Sequence, residues 1–154
     1  MGFITKVRVG VEDFDVSAEL AALRHSQANA GAAVTFTGIV RGDGEVLAME
    51  LEHYPRMTEK ALEGIVKKAR ARWAIQDVVI IHRIGRLAVG DQIVLTVVTS
   101  AHRREAFEAS EFIMDWLKTE APFWKKERTP EGERWVDARE SDEEARRRWG
   151  EAAR

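Results

Sequence analysis

Cationic stretches are the chemistry-bearing features of this sequence. In KTEAPFWKKER (118–128), Lys118, Lys125, Lys126 and Arg128 flank Phe123 and Trp124. Cations beside planar rings suit a planar, anionic, phosphate-bearing ligand. The stretch has a second reading, in which Lys118 is a favourable charge at a helix C-terminus, Trp124 is core and the other cations are solvated. In SAHRR (100–104), His102 and Arg103 sit at a strand-to-helix junction. Free backbone N–H groups at a helix start attract anions, so the pair could cradle a phosphate or carboxylate. The alternative is a surface histidine and an arginine paired with Glu105 or Glu108. Arg41 closes an apolar strand before Gly42, and Arg139 follows Trp135 and Val136. Each alone suits an exposed side chain as well as a site.

Other chemistries are disfavoured. Cysteine is absent, which removes a disulfide scaffold, a thiolate metal site, a cysteine nucleophile and a persulfide carried by the chain itself. The histidines at 25, 53, 82 and 102 lack the H-E-x-x-H spacing, so no metal is expected. The common phosphate-loop, dinucleotide and nucleophile-elbow patterns are also missing. His82 and His53 read as structural contacts, and Trp73 and Trp116 as core. Lys plus Arg total 24 against 26 Asp plus Glu, a net charge of −2, so no global positive field exists to hold nucleic acid. No apolar run reaches membrane-span length, and the N-terminus lacks a signal-peptide core. Met-Gly is followed by Lys6 where a myristoylation pattern needs Ser or Thr. A cytoplasmic location is the expectation.

These side chains need elements to position them. KVRVGV alternates as a strand, with Val7, Val9 and Val11 on one side. Asp15 or Ser17 then caps a short helix bearing Leu20 and Leu23. Residues 32–41 and 46–54 alternate as strands around Gly42-Asp43-Gly44 and predict a hairpin. The three- and four-residue spacing of Ala61, Leu62, Ile65, Val66, Ala69 and Trp73 predicts a helix over 58–73 capped by Thr58. Strands are expected at 78–85 and 92–100, and a helix at 103–118. Pro122 then predicts a rigid loop through 118–128. Ser141 and Glu144 form a capping box that opens a charged terminal helix over about 141–154. At 154 residues the chain suits one domain, 1–154, of α+β class, with one mostly antiparallel sheet and helices packed on it.

Taken together, six blocks resemble the catalytic (large) subunit of molybdopterin synthase. They are FTGIVR (36–41), LEHYPRMTEKAL (51–62), IHRIGRLAVGD (81–91), VTSAHRREAFEA (98–109), FIMDWLKTEAPFWKKE (112–127) and PEGERWVDARESD (130–142). The resemblance implies an α/β hammerhead fold. It implies sulfur transfer from the C-terminal Gly-Gly thiocarboxylate of a small ubiquitin-like partner subunit to cyclic pyranopterin monophosphate. It also implies a heterotetramer built on a homodimer of large subunits, and no resident cofactor. On its residues, Lys118 and Lys125 match the catalytic lysines, and Lys126 and Glu127 complete the pocket segment. His102 and Arg103 match an anion-binding pair. Ile39, Val40 and Arg41 match the strand end that touches substrate, and Arg139 an arginine offered from a neighbouring large subunit. The missing cysteine then has a reason: the partner delivers the sulfur.

Two features lie outside that match. The loop at 42–45 is shorter than the family's polar loop. Arg146, Arg147 and Arg148 are either a further phosphate contact or a solvated helix face. Competing readings are a non-catalytic module that docks a ubiquitin-like tail and a small anion-binding structural oligomer.

Overall fold

A computed structural model describes residues 2–42, 44, 46–136, 144, 147 and 149. The elements run β1 (Thr5–Gly10), α1 (Val16–Arg24), β2 (Ala32–Ile39), β3 (Ala48–His53), α2 (Met57–Arg72), β4 (Ile75–Arg83), β5 (Gly85–Ala88), β6 (Gln92–Ser100), α3 (Arg103–Glu120), β7 (Phe123–Thr129) and β8 (Gly132–Val136). The class is α+β, as expected. The strands form two four-stranded sheets where one was expected, in orders β1-β4-β6-β2 and β5-β3-β7-β8. All pairings are antiparallel except β1 with β4, which is parallel.

The first sheet carries the core. Its central strands β4 and β6 are buried on both faces and therefore read as continuous apolar runs. On one face, Val78, Ile80, Val94 and Val98 meet Leu62, Ile65, Val66 and Ala69 of α2 and Phe112, Ile113 and Leu117 of α3. On the other, Val79, Ile81, Leu95 and Val97 meet Phe14 and Leu23. The Asp15 carboxylate caps α1 by accepting from the Ala18 N–H at 3.0 Å.

The predicted hairpin of 32–41 with 46–54 does not form. β2 pairs with β6, and β3 lies between β5 and β7 in the second sheet. The connection crosses between sheets instead of turning within one. The Val40 N–H donates to the Asp91 carbonyl and the Leu47 N–H to the Arg128 carbonyl. Val40, Met49, Leu51 and Leu87 then bury together as a second core. Thr58 is not the cap of α2. The helix begins at Met57, Arg56 occupies the cap with φ 71°, and the Glu59 carboxylate accepts from the Arg56 N–H. Thr58 is buried, and its hydroxyl donates to the Pro122 carbonyl at 3.3 Å.

The rigid loop expected through 118–128 is in fact the end of α3, a two-residue break at Ala121-Pro122, and strand β7. β7 then turns into β8 at Gly132, whose φ of 126° suits glycine alone. Most of the expected terminal helix, Ser141 included, lies outside the described residues; within it, Glu144, Arg147 and Trp149 are helical. Trp149 docks edge-on against Trp73 and Phe112 and donates from its indole N–H to Asp115.

Candidate functional site

α3 is the ruler of the site. Arg103 is its first residue, His102 its N-cap and Lys118 sits in its last turn. Fifteen residues of α-helix span about 22 Å at 1.5 Å each. One chain therefore does not bring His102 and Arg103 to Lys118. His102 and Arg103 are exposed, and the His102 side chain makes no capping bond, so the helix start stays open to an anion. The arginine that pairs with Glu108, at 3.0 Å, is Arg104.

The opposite end of α3 carries Lys118 and leads into the strand that bears Lys125 and Lys126. After Lys118, the break at Ala121-Pro122 turns the chain into β7, and the Thr58 hydroxyl fixes that break to α2. β7 pairs with β3 in the register His53↔Phe123, Leu51↔Lys125 and Met49↔Glu127. Lys125 thus shares a face with buried Leu51, toward the core between the sheets. Arg41 follows Val40 at this same core. Val40 is only 1% exposed, so it fixes the strand end and leaves contact to exposed Ile39 and Arg41.

Lys125 and Lys126 part company because strand neighbours point to opposite faces. Lys126 lies on the outer face of the second sheet, over the Trp135 ring at 4.6 Å and 3.4 Å from the Glu133 carboxylate. The expected sharing of one pocket by Lys125 and Lys126 does not hold within the chain. Glu127 is on the Lys125 face and bridges Arg134 at 3.3 Å. The outer face also holds an open hollow of about 570 Å³ between Arg86 and Arg128, floored by Ala48. Arg86 carried no signal in the sequence, because one arginine in a short strand is ordinary. Arg139, Arg146 and Arg148 lie outside the described residues.

Phe123 has two imidazoles nearly parallel to its ring. The His82 ring stacks on it at 3.8 Å between centroids and 20° between planes, and His53 lies on it at 6.4 Å and 27°. His82 is buried, as its reading as a structural histidine expects. Burial pushes its pKa down to about 4; the Arg83 carbonyl at Nδ1 opposes this, and the Lys118 and His53 charges add to it. The unfolded chain titrates that ring near 6.5, so between the two values the folded state binds fewer protons. Its stabilising contribution is complete above about pH 6.5 and is lost as pH falls toward 4, by about 3 kcal/mol. Urea melts at pH 7 and pH 4.5 should show that loss, and His82→Phe should remove this part of the pH dependence.

The model of the family described as "MoaE protein" matches residues 9–120. The chain is 58% identical over 147 residues to the molybdopterin synthase catalytic subunit of Ralstonia nicotianae, covering 94% of this chain and 84% of that one. It is 58% identical over 149 residues to the protein of that name from Escherichia coli, covering 94% and 98%. Among solved structures, it superposes with a TM-score of 0.83 on the molybdopterin biosynthesis MoaE protein from Burkholderia ambifaria, at 56% identity and covering 96% of this chain and 99% of that one.

Proposed function

The chain belongs to the MoaE protein family, and on that premise we infer that it works as the catalytic subunit of a molybdopterin synthase, a sulfur-transferring enzyme of molybdenum cofactor biosynthesis. The sulfur comes from the C-terminal thiocarboxylate of a small ubiquitin-like partner. The acceptor is cyclic pyranopterin monophosphate. The observation that supports this most is the placement of Lys118 in the last turn of α3, with Phe123 and Lys125 on one face of the strand that begins three residues after α3 ends, in a chain without cysteine.

The chemistry asked of this chain is cationic. The thiocarboxylate sulfur attacks a side-chain carbon of the pterin, a C–S bond forms and a C–O bond breaks. Lys118 donates the proton to the departing oxygen and stabilises its charge. The partner's terminal glycine is then an acyl group on the new sulfur. Lys125 holds that acyl carbonyl while water attacks it and releases the tail as a carboxylate. A second loaded tail supplies the second sulfur. Arg41, with Ile39 beside it, is placed to meet substrate near the lysines. Glu127 orients β7 through Arg134.

The phosphate clamp takes two copies of the chain. His102 and Arg103 are separated from Lys118 of the same chain by the length of α3, so a second copy presents its pair, and Arg139 with it, to the lysines of the first. A homodimer of this chain, with one small partner on each copy, meets that requirement. A pure docking module is disfavoured, because holding a tail requires no paired lysines. The assembly works as a cytoplasmic enzyme without a resident metal or cofactor.

The deciding experiment is reconstitution. This chain is mixed with a thiocarboxylated small subunit and cyclic pyranopterin monophosphate, and product is measured as its oxidised fluorescent pterin. Product is expected in stoichiometric yield on loaded partner. Its absence, with both proteins folded and associated, overturns the assignment.

A further inference from the structure

His82 is set where three elements of the site meet. It ends the inward row Val78, Ile80, His82 of β4, and the first two side chains of that row lie in the core under α2 and α3. Its ring is buried and lies flat on Phe123, the first residue of β7, with centroids 3.8 Å apart. Its Nδ1 is 2.8 Å from the Arg83 carbonyl oxygen. A carbonyl oxygen only accepts, so Nδ1 carries the hydrogen and the ring plane is pinned to its own strand. The titratable groups around the stack are Lys118 from α3 and His53 from β3, with Glu59 of α2 behind His53 at 3.7 Å.

We infer that His82 is a positioning residue of the lysine site, which as a neutral Nδ1–H imidazole holds Phe123 and so sets Lys125 of β7 against Lys118 of α3. The proposal rests on the functional reading above and adds a residue to it. A plain hydrophobic side chain would fill the space but would leave the Phe123 ring free to slide, because nothing would tie its platform to the backbone. A charged side chain would place a second cation beside Lys118. The neutral, singly anchored ring meets both demands. Lys125 lies two residues beyond Phe123 on the same face, so a shift of the ring is a shift of the ammonium. Misplacement of a reacting group by about 1 Å can cost on the order of 100-fold in rate.

Two substitutions separate the parts of the role. His82→Phe keeps a ring to stack and removes the anchor. His82→Asn keeps a donor for the Arg83 carbonyl and removes the ring. In reconstituted synthase each is expected to lower kcat by about 10- to 100-fold, with KM for the pterin and affinity for the small subunit unchanged. Full kcat in His82→Phe overturns the proposal, since packing alone would then suffice.

Two readouts are independent of turnover. Acetylation of Lys118 and Lys125 by acetic anhydride, followed by mass spectrometry, should show their rate ratio changed at least threefold in either variant while other lysines keep theirs. An unchanged ratio counts against the proposal even if the chain proved to have another activity. In the wild-type protein, which needs no variant to fold, nitrogen-15 NMR should find His82 as the neutral Nδ1–H tautomer at pH 7. An imidazolium or an Nε2–H tautomer overturns it. A wild-type protein that makes no product but passes both of these tests removes the functional reading and leaves the positioning of the lysines standing.

Discussion

Lys118→Ala is expected to lower molybdopterin formation by about 10²- to 10⁴-fold and to leave the fold and the affinity for the small subunit intact. The expectation follows from where Lys118 sits. It is exposed in the last turn of α3, while its neighbours Ile113 and Leu117 supply the core contacts. Losing a cation there costs helix stability of at most about 1 kcal/mol. Its charge is felt by buried His82, which stacks on Phe123 at the point where β7 begins. An interaction made only as charge develops on a departing oxygen appears in kcat, and removing it leaves ground-state binding alone. Single-turnover product yield with preloaded partner separates the two. Thermal melts and titration of the partner complete the test. Lys126→Ala is the internal control. It lies one residue from Lys125 on the opposite face, held by Glu133 and the Trp135 ring, and should change turnover by less than about threefold. Unaltered yield from Lys118→Ala would remove this lysine from the chemistry.

Local patterns in the chain were good guides wherever a decision was local. β6 was legible over Gln92–Ser100 because both its faces are apolar, and α3 because Ala106, Phe107, Ile113, Met114 and Leu117 recur at helical spacing, although Phe107 of that set is exposed. Strand pairing was not legible. β2 and β3 have the same alternation and a glycine turn between them, which is all a hairpin needs locally. The choice went to β6, whose sequence lies more than fifty residues away, because Val40 and Leu51 bury better between two sheets than within one. β7 hid for a different reason. Its inward positions are Phe123, Lys125 and Glu127, so the two-residue period is written in charges at a site instead of in core side chains.

The candidate site divides the same way. That Lys118 and Lys125 belong together came from the resemblance; the structure puts Lys118 in the last turn of α3 and Lys125 in β7, the strand that follows it. The separation of His102 and Arg103 from them was already contained in the predicted helix 103–118, since its rise alone fixes the distance. His82 was legible only as a buried histidine. Its contact with Phe123 depends on the crossing of the two sheets, which no local pattern encodes.

The length of α3 leads to the second large effect. Arg103→Ala and Lys118→Ala are each expected to be almost inactive as pure proteins. If each site takes its lysines from one copy and its phosphate clamp from the other, a dimer of one of each is different. One of its two sites then collects both lesions, and the other collects neither. Co-expression with two affinity tags and purification through both yields only mixed dimers. These should recover roughly half of wild-type turnover, one intact site of two in a symmetric pair. A site closed within one chain predicts no recovery, because every copy would carry its own defect. The contrast is large, from near zero to roughly half, and does not depend on which lysine moves the proton. Mixed dimers as inactive as their parents would mean that Arg103 serves the site of its own chain and would overturn the clamp shared between copies.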